Sequence, residues 1–219
     1  CQFLPFIPAN CYLTRTTLFS ILTIVYLLFI LGLQLGGFMK TRHLTLSAIV
    51  LAALIVIAYI PIIPLPLVPI TIQNLGIMLA GVLLGGRKGF ITVALLLLLA
   101  MLGLPVLTGG SGGFARFFGA TAGYLWAYPV GAGLIGFSVA KLKQLNRLNF
   151  LSVLVIILVF GVLFIDGMGA IGLTLVTKMP LSKSLFLQLT YMPGDVIKAI
   201  VASTITVALH TRFGKFLNA

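Results

Sequence analysis

FLSVLVIILVFGVLFIDGMGAIGL, residues 150–173, runs for 24 positions with a single charged side chain, Asp166. A helix crosses the hydrocarbon core of a bilayer with about 20 apolar residues, in a range of roughly 17–25. The run is therefore long enough to span. It does not alternate polar and apolar residues as a barrel strand would, so a helix is the structure it specifies.

The rest of the chain has the same character. Hydrophobic residues make up 61% of it and charged residues 7%, against about 25% charged in ordinary soluble domains. So few charges cannot cover a water-facing surface, and lipid must cover most of it. Bounded by charges and by Gly and Pro breaks, the spans fall at 44–60, 71–86, 89–104, 119–140, 150–173 and 190–211. The second and third are short, about 16 residues or near 24 Å at 1.5 Å per residue. The fold class expected is an all-α integral membrane protein with six transmembrane helices.

The net charge of +12 does not point to nucleic acid. No Lys/Arg-rich run with interleaved aromatics is present, and the bases sit in loops between apolar segments, where they orient helices. With the segment before 44 placed inside, the inner ends carry Lys40, Arg42, Arg87, Lys88, Lys141, Lys143, Arg147, Arg212 and Lys215. The outer loops carry Arg116, Lys178 and Lys183. This bias puts both ends of the six-span unit in the cytoplasm. Cys1 and Cys11 give neither a disulfide framework nor a metal cluster. His43 and His210 sit at helix ends and read as interfacial, so no metal is expected.

Residues 1–38 stand apart. TLFSILTIVYLLFILGLQLGGF reads either as a further span with Arg15 outside or as a signal-like segment, and no Ala-x-Ala-type site marks a cleavage point. Met39 opens MKTRHLTLSAIV. The expected organisation is an N-terminal hydrophobic extension over 1–38, with no function assigned, and a six-helix membrane domain over 39–219.

Two outer connections carry the information. PIIPLPLVPI, residues 61–70, has four prolines and reads as a stiff extended segment. LPVLTGGSGGFARFFGATAGYLWAY, residues 104–128, has glycines at 109, 110, 112 and 113 that permit tight turns and close backbone approach. Thr108 and Ser111 add hydroxyls, and Arg116 adds a charge. A phosphate cradle is excluded by the lack of GxxxxGK[ST] and of a preceding strand. A plain flexible loop and a lid over an outward-facing site both fit; the pairing of two such loops favours the lid.

YMPGDVIKAIVAS, residues 191–203, holds Asp195 and, three positions on, Lys198. Pro193 and Gly194 are expected to open the sixth helix. Asp195 would then sit in a first turn, where the helix dipole and free N–H groups favour an acid. That accounts for Asp195 without a ligand, but not for Lys198. Residues i and i+3 share a helix face, and a lysine within a span faces a cavity or a partner because lipid burial costs several kcal/mol. The pair offers an acceptor and a cation to a small polar molecule. Asp166, mid-span, is expected to pair with a base or a neighbouring helix rather than touch a ligand, since its depth differs from that of the outer loops.

Four stretches in order, VPITIQNLGIMLAGVLLGGRKG (68–89), LGLPVLTGGSGG (102–113), GATAGY (119–124) and MPGDVIKAIVA (192–202), give residues 40–212 a resemblance to the BioY family. These proteins are biotin-binding substrate-capture (S) components of energy-coupling factor (ECF) transporters. Ala120 and Ala122 depart from the family's usual G-P-T-G-G-Y; Thr121, Gly123 and Tyr124 keep it. The resemblance implies the six-helix S-component bundle and biotin as a transported ligand rather than a cofactor. It places the family's Asp-x-x-Lys on Asp195 and Lys198, with Gln73, Thr108, Gly110, Arg116 and Tyr124 as further contacts. The division of the ureido ring and the carboxylate between Asp195 and Lys198 stays open; charge favours Lys198 for the carboxylate. S components dock on a transmembrane coupling (T) subunit through an Ala-x-x-x-Ala pattern, here Ala48 and Ala52, and small residues four apart let helices approach closely.

These implications place the chain in a bacterial cytoplasmic membrane, with a T subunit and two ABC-type ATPases as partners. It has no nucleotide-binding loop and no residue set for covalent chemistry, so it reads as non-enzymatic. The alternatives are a solitary biotin facilitator or proton-coupled carrier, the same architecture serving another vitamin, and a membrane anchor without a ligand.

Overall fold

The structure, a computed structural model, describes residues 41–60 and 71–218. The N-terminal extension and the proline-rich 61–70 lie outside the described residues. Among the described residues, six helices follow one another: α1 Thr41–Ala58, α2 Gln73–Leu84, α3 Gly86–Met101, α4 Ala122–Gln144, α5 Phe150–Thr177 and α6 Leu181–Asn218. Among the described residues, α4, α5 and α6 are long and apolar enough to cross a membrane, and α1 and α2 contribute shorter apolar helices. The chain divides into two compact units after Ala48, within α1.

Small residues set the helix spacing. Between membrane helices lipid is as apolar as leucine, so close van der Waals packing must hold them together. Gly85, with φ of +78°, turns the chain between α2 and α3. A β-carbon on Gly136 of α4 would run into the backbone of Gly85 and Gly86, so α4 packs directly on that turn. Gly123 of α4 faces the Met168 carbonyl and Gly172 of α5 in the same way. Under these crossings lies a core of Met78 and Val82 from α2, Ile135 and Val139 from α4, Val153, Ile157 and Val162 from α5, and Ala199 and Ala202 from α6. The opposite faces are apolar and open: Phe137, Leu151, Leu175 and Phe186 are all more than half exposed, as lipid-facing residues should be.

α5 is not a uniform α-helix. Ile157–Leu163 is wound as a π-helix, with Gly161 buried in it against Met78. One extra residue per turn shifts the register of everything after it, including Asp166.

The sixth helix corrects the sequence expectation. It begins at Leu181, and Pro193 lies inside it. Asp195 is therefore about four turns in, at 3.6 residues per turn, and not in a first turn with free N–H groups. The preceding LSKSLFLQLTYM is itself rich in residues that tolerate a helix, so Pro193 interrupts one backbone hydrogen bond without starting a new element. The dipole account of Asp195 falls with that correction.

Candidate functional site

A polar cleft lies at the end of the bundle where the loop between α3 and α4 returns to the helices. Its open space is about 760 Å³, mouth included. The loop is built by two short 3₁₀ turns, Thr108–Gly110 and Phe114–Phe118. A bridge between Leu107 and Ser111 closes the first, and Gly112 packs so tightly on the Leu104 carbonyl that no side chain fits there. Tyr59, just past α1, donates to the Pro105 carbonyl at 2.7 Å.

Gln73, the first residue of α2 and only 2% exposed, ties this loop down. Its Oε1 accepts from the Thr108 backbone N–H at 2.9 Å and from the Thr108 hydroxyl at 2.5 Å. Ser111 in turn donates to the Thr108 carbonyl at 2.8 Å. The loop is thus held over the helix ends by side chains of the helices themselves.

Opposite the loop, Lys198 Nζ lies 2.8 Å from Asp195 Oδ1. This i, i+3 pair is the one ion pair among the described residues, and both side chains are largely enclosed, at 14% and 7% exposure. Asn74 Nδ2 donates to the same Asp195 oxygen over a longer 3.5 Å. Asp195 therefore gains from two partners what a helix terminus would otherwise have supplied. Tyr124 and Tyr128, four apart on α4, complete the wall; Tyr124 donates to Gln188 Oε1 at 2.6 Å.

Of the residues singled out from the sequence, Asp195, Lys198, Gln73, Thr108, Arg116 and Tyr124 line this cleft. Gly110 does not; its α-carbon faces the Tyr59 ring, where an added β-carbon would come within 3.1 Å. Asp166 is the main revision. It lines the same cleft as Arg116 and Lys198, is 6% exposed, and its Oδ2 has no protein hydrogen-bond partner. Asn74 and Tyr191 were not foreseen. Tyr191, Asp195 and Lys198 recur at four and three residues, one face of a helix, and that spacing was available once the helix was known to run through Pro193. Ala48 and Ala52 lie one turn apart on α1, both partly buried.

The cleft is lined by residues whose helical successors are core: Asn74 precedes Met78 by four, Tyr128 precedes Ile135 by seven, and Lys198 precedes Ala202 by four. A polar chamber is thus floored by an apolar cluster. The enclosed acid and base, with the Thr, Ser and Tyr hydroxyls around them, present hydrogen-bonding groups to the cleft.

Fold and site define the class: a multi-pass helical membrane protein with a small-solute cleft beneath a pinned loop. Residues 32–215 match the family model described as BioY family, and the chain belongs to that family. It is 45% identical over 130 residues to Biotin transporter BioY of Lactococcus lactis subsp. cremoris (strain MG1363), which covers 59% of this chain and 69% of that one. It is 37% identical over 125 residues to Probable biotin transporter BioY of Bacillus subtilis (strain 168), covering 56% and 64%. The alignments thus span about two thirds of those relatives. A solved crystal structure, of the S-component for biotin from an ECF-type ABC transporter, superposes with a TM-score of 0.76 at 45% identity, covering 80% of this chain and 94% of that one.

Proposed function

We propose that this protein captures biotin for uptake across a membrane, as the substrate-specific subunit of an ECF-type transporter. The observation that carries the reading is the cleft: one enclosed acid–base pair, a ring of neutral polar side chains and a pinned loop. They sit in a fold shared with the S-component for biotin. Biotin has a cyclic urea at one end and a carboxylate at the other, joined by apolar carbon and sulfur. A chamber with acceptors, donors, a cation and aromatic walls suits it.

The geometry favours a different division of roles. Lys198 is engaged by Asp195, so its charge is largely answered within the protein. It retains N–H donors, one of which suits the urea carbonyl. Arg116 lies in the Phe114–Phe118 turn, lines the cleft and stands outside the ion pair. We assign the carboxylate to Arg116, because a planar fork of donors fits a carboxylate in two hydrogen bonds. Gln73, Thr108 and Tyr124 shape the chamber.

The chain performs no chemistry on biotin in this reading. A T subunit and two ABC-type ATPases supply the drive, and α1 docks on the T subunit through Ala48 and Ala52. The loop-side cleft faces outward, with both ends of the six-helix unit in the cytoplasm, as the distribution of Lys and Arg supports. A biotin titration of detergent-purified protein tests the reading: saturable binding that riboflavin and thiamine do not compete is expected. No binding, under conditions where a known capture protein binds, overturns it.

A further inference from the structure

Asp166 and Gln188 are 6% and 7% exposed, and Asp166 Oδ2 and Gln188 Nε2 have no hydrogen-bond partner in the protein. A buried polar atom without a partner costs on the order of 1–3 kcal/mol, more when charged. Such atoms call for a role, an acid within a membrane span above all. The two residues border one groove between α5 and α6, with an open space of about 800 Å³, mouth included. This groove shares only Asp166 with the polar cleft.

The rest of the groove suits hydrocarbon. Leu163, Leu185, Phe186, Leu189 and Met192 line it, and Leu163, Phe186 and Leu189 are more than half exposed. Its mouth therefore opens on the lipid-facing side of the bundle. A β-carbon on Gly167, which also lines the groove, would meet nothing within 4 Å. Closer to the turn between α5 and α6, Thr174 donates to Ser184 Oγ at 2.9 Å and holds the two helices together.

Tyr124 donates to Gln188 Oε1 at 2.6 Å, which turns the Gln188 amide nitrogen away as a free donor. Asp166 Oδ2 is an acceptor. One hydroxyl answers both, since it donates a proton and accepts through its lone pairs. The level of the pair identifies what carries that hydroxyl. Lys183 is exposed on α6, at the bilayer surface where charge is tolerated. Gln188 lies five residues further along, about 8 Å at 1.5 Å per residue. A phospholipid headgroup stays at the surface, so a hydroxyl at this depth sits on the glycerol itself.

We propose that the groove holds a membrane glycerolipid with one acyl chain and a free glycerol hydroxyl. The hydroxyl bonds to Asp166 Oδ2 and Gln188 Nε2, and the chain lies along the Leu and Phe wall. A single groove takes a single chain. The inference is independent of what the cleft binds.

The test places the purified full chain in phosphatidylcholine nanodiscs with one of two photoreactive probes. One is a monoacylglycerol carrying a diazirine on its chain. The other is the methyl ester of the same fatty acid, which has no hydroxyl. Cross-linked peptides are quantified by mass spectrometry. The monoacylglycerol should label the α6 segment that lines the groove at least fivefold more than the methyl ester does. Gln188→Leu removes the donor and should lower that labelling at least fivefold, leaving the methyl ester's unchanged. Gly167→Leu fills the groove from α5 with no clash at its β-carbon and should lower it as much. Leucine is also the better helix former, so thermal stability should hold or rise, and this variant decides the matter if Gln188→Leu does not fold. Equal labelling by the two probes, or labelling that a folded variant leaves unchanged, overturns the proposal: ordinary lipid then bathes the groove, and water answers the two atoms.

Discussion

Gln73 Oε1 takes both the backbone N–H and the hydroxyl of Thr108, at 2.9 and 2.5 Å. One buried side chain at the start of α2 thus holds the loop that roofs the cleft. Replacing it with Ala leaves two donors of the loop unsatisfied. At about 1 kcal/mol for each neutral hydrogen bond, Gln73→Ala should weaken biotin binding by roughly tenfold to thirtyfold. Arg116 in the same loop is exposed, so tryptic cleavage after it should also accelerate, and biotin should slow it again. Unchanged affinity and unchanged cleavage would show that the loop is held by other means.

The Asp195–Lys198 pair gives a second prediction. Asp195→Asn and Lys198→Met should each weaken biotin binding at least tenfold, about 1.4 kcal/mol, with the protein still inserted. Stability should behave differently. Removing one member of an enclosed pair strands the other charge, whereas removing both does not. Thermal unfolding in detergent should therefore show the double variant losing less than the sum of the singles. Additive losses would mean that the pair is solvated and energetically idle.

How much of this was legible in the sequence depended on the kind of signal. The run at 150–173 announces a membrane helix, because hydrophobic burial in lipid needs only length and apolarity. Asp195 and Lys198 stood out as charges in a chain that avoids them. The start of α6 was misplaced at Pro193, since proline favours a first turn but also survives inside a long helix whose other hydrogen bonds persist. That error hid Tyr191, which lies before the proline on the same face. Asp166 was discounted because its depth was taken to differ from that of the outer loops, and nothing in ILVFGVL declares a π segment. Asn74 looks like any polar residue near a helix start; only the packing of α2 against α6 gives it Asp195 as a partner.

The docking assignment is separable from the cleft. Ala48 and Ala52 lie one turn apart on α1, so a bulky residue there should obstruct a close helix–helix approach without entering the site. Ala48→Trp should bind biotin like the native protein but fail to co-purify with the T subunit and its ATPases when all are co-expressed. Retained assembly would remove the pair from the interface.

Gly123 and Gly167 offer a paired test of what positions the site. A β-carbon on Gly123 would press on the Met168 carbonyl and lie 2.9 Å from the Gly172 α-carbon, backbone that cannot swing aside. Gly167 has open space around the same position. α4 carries Tyr124 next to Gly123, and α5 carries Asp166 next to Gly167, so both substitutions sit beside cleft residues. Their consequences should nevertheless diverge. Gly123→Ala must push α4 and α5 apart, widening the chamber between Tyr124 and Asp166. It should lower both thermal stability and biotin affinity, the latter by about tenfold or more. Gly167→Ala adds no clash and replaces a residue about 1 kcal/mol less favourable than alanine in a helix interior, so stability should hold or rise and affinity should stay within about threefold. Thermal unfolding and biotin titration on the two variants decide the matter. If Gly123→Ala is as benign as Gly167→Ala, the α4–α5 crossing does not set the geometry of the cleft.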